Sequence, residues 1–439
     1  MAWPRIFRGA LETVPPVGLW MRRTVRWVVL GLALATGTAI TSCVRPAQQP
    51  RPRLILISLD GFRWDYPDRP PAATLQALAA RGVRAEGLIP IFPSKTFPNH
   101  YSMVTGLTAE HHGLIANNIF DPGDSSRYSL GNREAVGDSK WYGGEPIWVT
   151  AEKAGLRTAP IFWPGSEAAI EGVRPTSWRS FDFADRPDAL VRELLERLDA
   201  PPDSSPSFMT LYFHETDDMG HRHGTDSPEL DGAIATVDSA LALLLAGLEE
   251  RGLKDSIDIM VVSDHGMADT SNDRVILLDR VIDLDRVMVS DWNPVVAIWP
   301  RDVSPDTVYR QLERQAHLTA YRKADIPDRL HYRNNPRIAP IIAVADVGWS
   351  ITTSDYLTEH PNAFAGATHG YDPAARSMQG IFIAAGPSFR NGITVPPTAT
   401  INLYDVMCAV LGLDPAPNDG DVSLARRVLS PAVVNRSVR

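Results

Sequence analysis

Cysteine is nearly missing: Cys43 and Cys408 are the two that a chain of 439 residues carries. A disulfide-stapled architecture is therefore excluded, and stability has to come from a large apolar core. Cys408 sits among Val406, Met407, Ala409, Val410 and Leu411, the setting of a small hydrophobe on a buried helix face. Positive charge is also scarce, with 43 Lys and Arg against 52 Asp and Glu and a net charge of −9. Without a basic stripe, a phosphate-tracking surface for long nucleic acid is not expected. The apolar stretch Trp27 to Ala39 falls short of the roughly 18 to 20 residues a bilayer span needs, so a permanent membrane helix is the weaker reading. Internal repeats and a second proline-rich linker are absent too. The chain beyond residue 53 thus reads as one large domain, 54–439, with embellishing insertions.

What stands at the amino end has the order of an export signal. Met21, Arg22, Arg23 and Arg26 form a basic start, Trp27 to Ala39 follows, and Ile40-Thr41-Ser42 puts small residues before Cys43. Cys43 resembles the lipidated cysteine of bacterial lipoproteins; the alternative is an ordinary cleaved signal with a chance cysteine. Residues 1–20 precede a plausible start at Met21 and read as an upstream extension. Pro46, Pro50 and Pro52 make 44–53 an extended tether. The expected location is a bacterial cell envelope, on the periplasmic side, with the membrane reached through lipid on Cys43; soluble periplasmic or secreted protein is the alternative.

Short apolar runs at Leu54 to Leu59, Phe208 to Phe213, Ile257 to Ser263, Val295 to Trp299 and Gly380 to Ala385 are bounded by turn residues and read as strands. Between them lie helical patterns at Ala72 to Arg81, Pro187 to Leu198 and Leu230 to Arg251. Alternation of this kind suggests an α/β fold with a sheet covered on both faces.

Seven side chains from five segments could bind two zinc ions: Asp60, Thr96, Asp217, His221, Asp264, His265 and His369. Asp60 ends one strand run, and Asp264 and His265 end another, at the carboxyl edge where sites on open α/β sheets assemble. Borderline zinc accepts mixed carboxylate and imidazole ligands, and a pair of ions can clamp both oxygens of a phosphoryl displacement. Asp217 and His221 are four apart, so a helical turn would bring both to one metal; solvated loop charges are the alternative. Gly266 lets the chain turn closely after the Asp264-His265 pair. His369 before Gly370 is, by itself, more often a turn residue than a ligand. Thr96 lies between Pro93 and Pro98 and would serve either as a metal-activated nucleophile or as the cap of a following helix. A helix start there also offers N–H groups to a phosphoryl oxygen.

Together the segments Ser58 to Arg63, Phe92 to Tyr101, Gly106 to Ile115, Phe162 to Gly165, Ser263 to Met267 and Ala367 to Asp372 resemble, in order, the nucleotide pyrophosphatase/phosphodiesterase family of the alkaline phosphatase superfamily. The resemblance implies an alkaline-phosphatase-like core, a mostly parallel central sheet with helices on both faces. It assigns one zinc to Asp217, His221 and His369, and the other to Asp60, Thr96, Asp264 and His265. Thr96 becomes the nucleophile that is covalently phosphorylated, and Asn117 with the Thr96 N–H would hold the phosphoryl oxygens. Phe97, Phe181 and Tyr212 match positions that present aromatics to a base, although Tyr212 within an apolar strand reads equally as core. Thr216 and Thr225 depart from the family, which has proline at both, and could reshape the loop bearing Asp217 and His221. The expected activity is hydrolysis of small nucleotide diesters or pyrophosphates to nucleoside monophosphates; no protein partner is deduced. Alternatives are a choline-type phospholipid or glycerophosphodiester phosphodiesterase, a phosphomonoesterase, and a non-catalytic binding or scaffold lipoprotein.

Overall fold

The apolar run at Leu54 sits at the centre of the molecule. In the computed structural model, which describes residues 52–201 and 203–438, Leu54–Leu59 forms strand β1 and every residue of it is buried. It pairs in parallel with Phe208–Phe213 on one side and Asp258–Val262 on the other. A strand with both edges paired and both faces covered has no solvent side, so the run shows no polar alternation. The export signal, Cys43 and residues 44–51 of the tether lie outside the described residues.

The main sheet has seven strands. In chain order they are β1, β2 (Val83–Ala85), β3 (Thr158–Pro160), β4 (Phe208–Phe213), β5 (Asp258–Val262), β6 (Phe382–Ala385) and β7 (Ile393–Val395). Their spatial order is β7-β2-β6-β5-β1-β4-β3, and only β6 runs antiparallel to its neighbours. The sheet is thus mostly parallel, as expected.

Alternate residues of β1 feed two separate cores. Ile55, Ile57 and Leu59 join Met209, Leu211 and Phe213 under three helices, α1 (Ala73–Arg81), α3 (Pro187–Leu198) and α5 (Pro228–Glu250). Leu54 and Leu56 join Met260 and Val262 on the opposite face, beneath α2 (Thr96–Thr105) and α6 (Leu403–Leu411). Burial of each such Leu or Ile contributes about 1.5–3 kcal/mol. The remaining helix that matters here, α4 (Glu215–His223), follows β4 directly. Helix α5 is long and apolar enough to cross a membrane by composition. Its Leu230, Ile234, Val237, Leu241, Leu244 and Leu248 are instead spent against the sheet. It begins at Pro228, two residues before the expected Leu230, because Ser227 Oγ accepts the Leu230 N–H (3.2 Å) and proline suits the first turn. Cys408 is buried in α6 and free.

One strand expectation is corrected. Val295 to Trp299 does not belong to the main sheet: Val295–Pro300 pairs with Val287–Asp291 and Ile341–Ala345 in a second, four-stranded antiparallel sheet completed by Leu318–Arg322. Only Trp292, Asn293 and Pro294 connect it to the preceding strand, room for a hairpin and not for a helical crossover. The run at Gly380 to Ala385 is real but antiparallel. The described residues past the tether fall within one compact unit.

Candidate active site

Three adjacent parallel strands, β5, β1 and β4, release the chain at the same edge of the sheet. Asp60 follows β1, Asp264 and His265 follow β5, and α4 follows β4 carrying Asp217 and His221 one turn apart. Gly61 makes this convergence possible. Its φ is +63°, and a Cβ there would stand 3.0 Å from the Asp217 Cα. Gly266 likewise passes the backbone so closely that a Cβ would meet the Ser377 carbonyl at 2.3 Å. His369 arrives from a distant loop, anchored by its Nδ1–H donating to the Ser94 carbonyl (2.9 Å).

The side chains form two adjoining groups. In one, His221 Nε2 lies 3.4 Å and His369 Nε2 3.7 Å from Asp217 carboxylate oxygens. In the other, His265 Nε2 lies 2.9 Å from Asp264, 3.5 Å from Asp60 and 3.4 Å from Thr96 Oγ1. The rings of His265 and His369 stack at 3.5 Å, so the groups touch.

This donor set fits divalent metal ions. Asp60 Oδ1, Asp217 Oδ1 and Asp264 Oδ2 are buried oxygens without a hydrogen-bond partner, a costly arrangement unless a cation satisfies them. All three histidines donate Nδ1–H to a backbone carbonyl: His221 to Ala367 (2.9 Å), His265 to Gly266 (3.0 Å) and His369 to Ser94. Each Nε2 therefore keeps its lone pair and faces the carboxylates, the tautomer that metal ligation requires. The electrostatics agree. Burial, and then the charges of Asp264 and Asp217, push the Asp60 carboxyl well above its usual range. Burial followed by Asp217 does the same to Asp264. Burial and the neighbouring His265 and His221 push the His369 imidazole well below its usual range. Carboxylates held reluctant to ionise beside the His369 imidazole held neutral are what a bound cation relieves.

Thr96 opens α2 and is itself buried. The residue before it, Lys95, is equally buried and bonded to Asp291 and to the Trp292 carbonyl (3.0 Å), which ties the second sheet to this turn. Asn117 Oδ1 accepts the Phe97 N–H (3.1 Å), so its amide hydrogens remain for a ligand. His100, to which sequence reasoning gave no role, lies beneath. Its Nδ1 donates to the Thr96 carbonyl (2.8 Å) and its Nε2 accepts from Ser58 Oγ (2.7 Å). Burial pushes its imidazole down to about 3. His100 also approaches Asp60 and Asp264, but with both nitrogens engaged it supports the turn and is a poor ligand. Its spacing of four from Thr96 within a helix is the signal that could have found it.

A type I phosphodiesterase / nucleotide pyrophosphatase family model matches residues 54–372. The chain belongs to that family. It is 35% identical over 414 residues to human ectonucleotide pyrophosphatase/phosphodiesterase family member 5, across 93% of this chain and 83% of that protein. With bis(5'-adenosyl)-triphosphatase enpp4 of Xenopus laevis it shares 36% identity over 392 residues, 88% of this chain and 83% of the relative. Murine family member 5, solved as an inactive threonine-to-alanine variant in complex with AMP, superposes with a TM-score of 0.82 at 36% identity, covering 87% of this chain and 100% of that one. As a nucleotide pyrophosphatase/phosphodiesterase the chain is a hydrolase with the alkaline-phosphatase-like α/β fold.

Two residues that depart from this family's pattern turn out to brace the site. The Thr216 hydroxyl donates to the Asp60 carbonyl, joining β1 to α4. Thr225 gives its N–H (2.7 Å) and hydroxyl (2.8 Å) to the Asp269 carboxylate, both of them donors that proline lacks. Of the three matched aromatics, Phe97 packs edge-on to Tyr128 (6.1 Å) beside Thr96. Tyr212 is half-buried and donates its hydroxyl to Asp60 Oδ2, so it is more than core. Phe181 stands against Phe162 (5.0 Å) and Tyr212 (5.6 Å). Phe183, overlooked in the sequence, packs on Phe181 (4.6 Å) while 74% of it stays exposed.

Proposed function

We propose that this protein is a zinc-dependent nucleotide pyrophosphatase/phosphodiesterase that releases nucleoside monophosphates through a covalent intermediate on Thr96. The observation that carries the reading is the buried constellation itself: three partnerless carboxylate oxygens, three imidazoles with Nε2 turned inward, and the Thr96 hydroxyl 3.4 Å from one of them. Asp217, His221 and His369 would hold one zinc, and Asp60, Thr96, Asp264 and His265 the other. Bound there, zinc lowers the pKa of a ligating hydroxyl and neutralises charge on a leaving oxygen.

The chain supplies the rest. Thr96 Oγ1 would attack phosphorus as the bond from phosphorus to the leaving oxygen breaks, the hydroxyl proton passing to the departing group, to give a nucleotidyl ester of Thr96 and the freed leaving group. Water would then cleave the bond between phosphorus and Thr96 Oγ1, restoring the hydroxyl and releasing the nucleoside monophosphate. Asn117 Nδ2, left free because Oδ1 accepts the Phe97 N–H, and the Thr96 N–H at the start of α2 would stabilise the equatorial oxygens. Phe97, Tyr212 and Phe181 offer aromatic surface to the base on the nucleophile's side. Lys95, the cation next to Thr96 in sequence, is already committed to Asp291. That leaves it unavailable for the extra charge of a monoester and favours a diester or pyrophosphate. The AMP complex of the murine relative and the triphosphatase activity named for the frog relative support nucleotides as the substrate class.

The test is a panel on zinc-loaded protein: a nucleotide diester, a dinucleoside polyphosphate, a phosphomonoester and glycerophosphocholine. Fast turnover of the first two is expected, abolished by chelation and restored by zinc better than by magnesium, whose oxygen-rich octahedron suits histidines poorly. Preferred cleavage of glycerophosphocholine would move the assignment to a choline phosphodiesterase. No turnover with zinc restored would leave only a binding role. The proposal includes the lipid anchor: Cys43→Ala is expected to shift the protein to a soluble fraction at unchanged specific activity. Continued membrane association would point to an uncleaved apolar anchor.

A further inference from the structure

Beside the Asp217, His221 and His369 group opens a cavity of about 580 Å³, within the range of small-molecule sites. It is continuous with the active site, because His221 and Thr368, the residue before His369, form part of its wall. The rest of the wall is aromatic and apolar. Trp292 and Tyr356 line it while 38% and 46% exposed, and Phe364 and Ile351 close its floor.

These walls are held in place from several directions. Trp292 follows Asp291 and is fixed through its own carbonyl by Lys95. Asn293 Oδ1 accepts the Ile351 N–H (2.9 Å). Tyr356 belongs to the short helix Ser354–Glu359, where its N–H meets the Thr353 cap (3.2 Å), and its ring leans on His360 at 4.5 Å. No lysine or arginine occurs among the described residues of the lining.

We propose that this cavity is the leaving-group subsite, and that it selects leaving groups ending in a flat aromatic ring, such as a second nucleoside. The inference rests on the phosphodiesterase reading above. In an in-line displacement the attacking and leaving oxygens lie on opposite sides of phosphorus. With Thr96 in the Asp60, Asp264 and His265 group, the leaving oxygen emerges on the side of Asp217, His221 and His369, where the cavity begins. A ring entering it stacks on Trp292 or Tyr356. A bare pyrophosphate finds no cationic side chain there and gains nothing from the aromatic wall.

Diadenosine triphosphate and ATP both yield AMP but release ADP and pyrophosphate respectively, so they isolate the leaving group. For Trp292→Ala and Tyr356→Ala, kcat/KM on diadenosine triphosphate is expected to fall about tenfold, with kcat/KM on ATP unchanged within about twofold. Trp292→Phe and Tyr356→Phe, which keep a ring, are expected to retain most of the preference. Parallel losses on both substrates, or no loss on either, would overturn the subsite. If folded, zinc-loaded wild type cleaves neither compound, the phosphodiesterase reading fails and the subsite falls with it.

Discussion

Thr96 sits where a helix start, two prolines and a cluster of metal-type ligands meet, and the consequences of changing it can be separated. Thr96→Ala leaves six candidate ligands in place, so metal content measured on the purified variant is expected to stay high while turnover nearly vanishes. Thr96→Ser keeps the hydroxyl but loses the methyl that restricts its rotamer, and partial activity is expected. Asn117→Ala is expected to lower kcat by about 10²–10³, or about 2.7–4 kcal/mol, as for other oxyanion donors. A loss confined to KM would assign Asn117 to ground-state binding instead. The seven candidate ligands could be picked out in the sequence because each is of a metal-binding type, and most end a strand run or begin a helical turn. His100 was not, since its part depends on which way its ring folds back onto the Thr96 carbonyl. Trp292 and Tyr356 carry no chemical signature either; one lies in the hairpin loop of the second sheet and the other on the helix Ser354–Glu359, and only the folded chain brings both to the cavity wall that includes His221.

Strand β5 carries a carboxylate at each end, one in the candidate active site and one far from it. Asp258 opens the strand and accepts the Ser388 N–H (2.9 Å). Burial pushes its carboxyl from 3.8 up to about 6. A carboxyl with a raised folded-state pKa binds its proton more tightly when folded, so the folded state loses stability as pH rises through the window from 3.8 to about 6. Relative to Asp258→Asn, the wild type is expected to weaken by about 2–3 kcal/mol across that window and to hold a constant difference above it. Denaturant unfolding of both proteins between pH 4 and 8 measures this, and a pH-independent difference would contradict it. Elements with strong periodicity, such as Pro187–Leu198, were legible to the residue. Sheet membership was not: an apolar five-residue run looks the same in a parallel core strand as in the hairpin at Val295–Pro300. What distinguishes them is the length of the connection, not the strand.

Across the whole molecule, the candidate metal groups draw on both faces of the sheet edge and on the loop at His369, so zinc bound there would tie distant segments together. Zinc at about a thousandfold over its Kd adds roughly 4 kcal/mol per site to folding stability. Chelation is therefore expected to lower the thermal midpoint as well as abolish activity, with zinc restoring both. An unchanged midpoint on complete metal removal would mean that the segments are held without it. The central claim, a covalent step on Thr96, is tested most directly by rapid quench of zinc-loaded protein with a nucleotide diester labelled on the phosphate that is retained. The expected result is label trapped on the peptide containing Thr96, at a level that rises before steady state and is absent in Thr96→Ala. Label that never becomes protein-bound, together with normal turnover by Thr96→Ala, would contradict the account and replace it with direct attack by water.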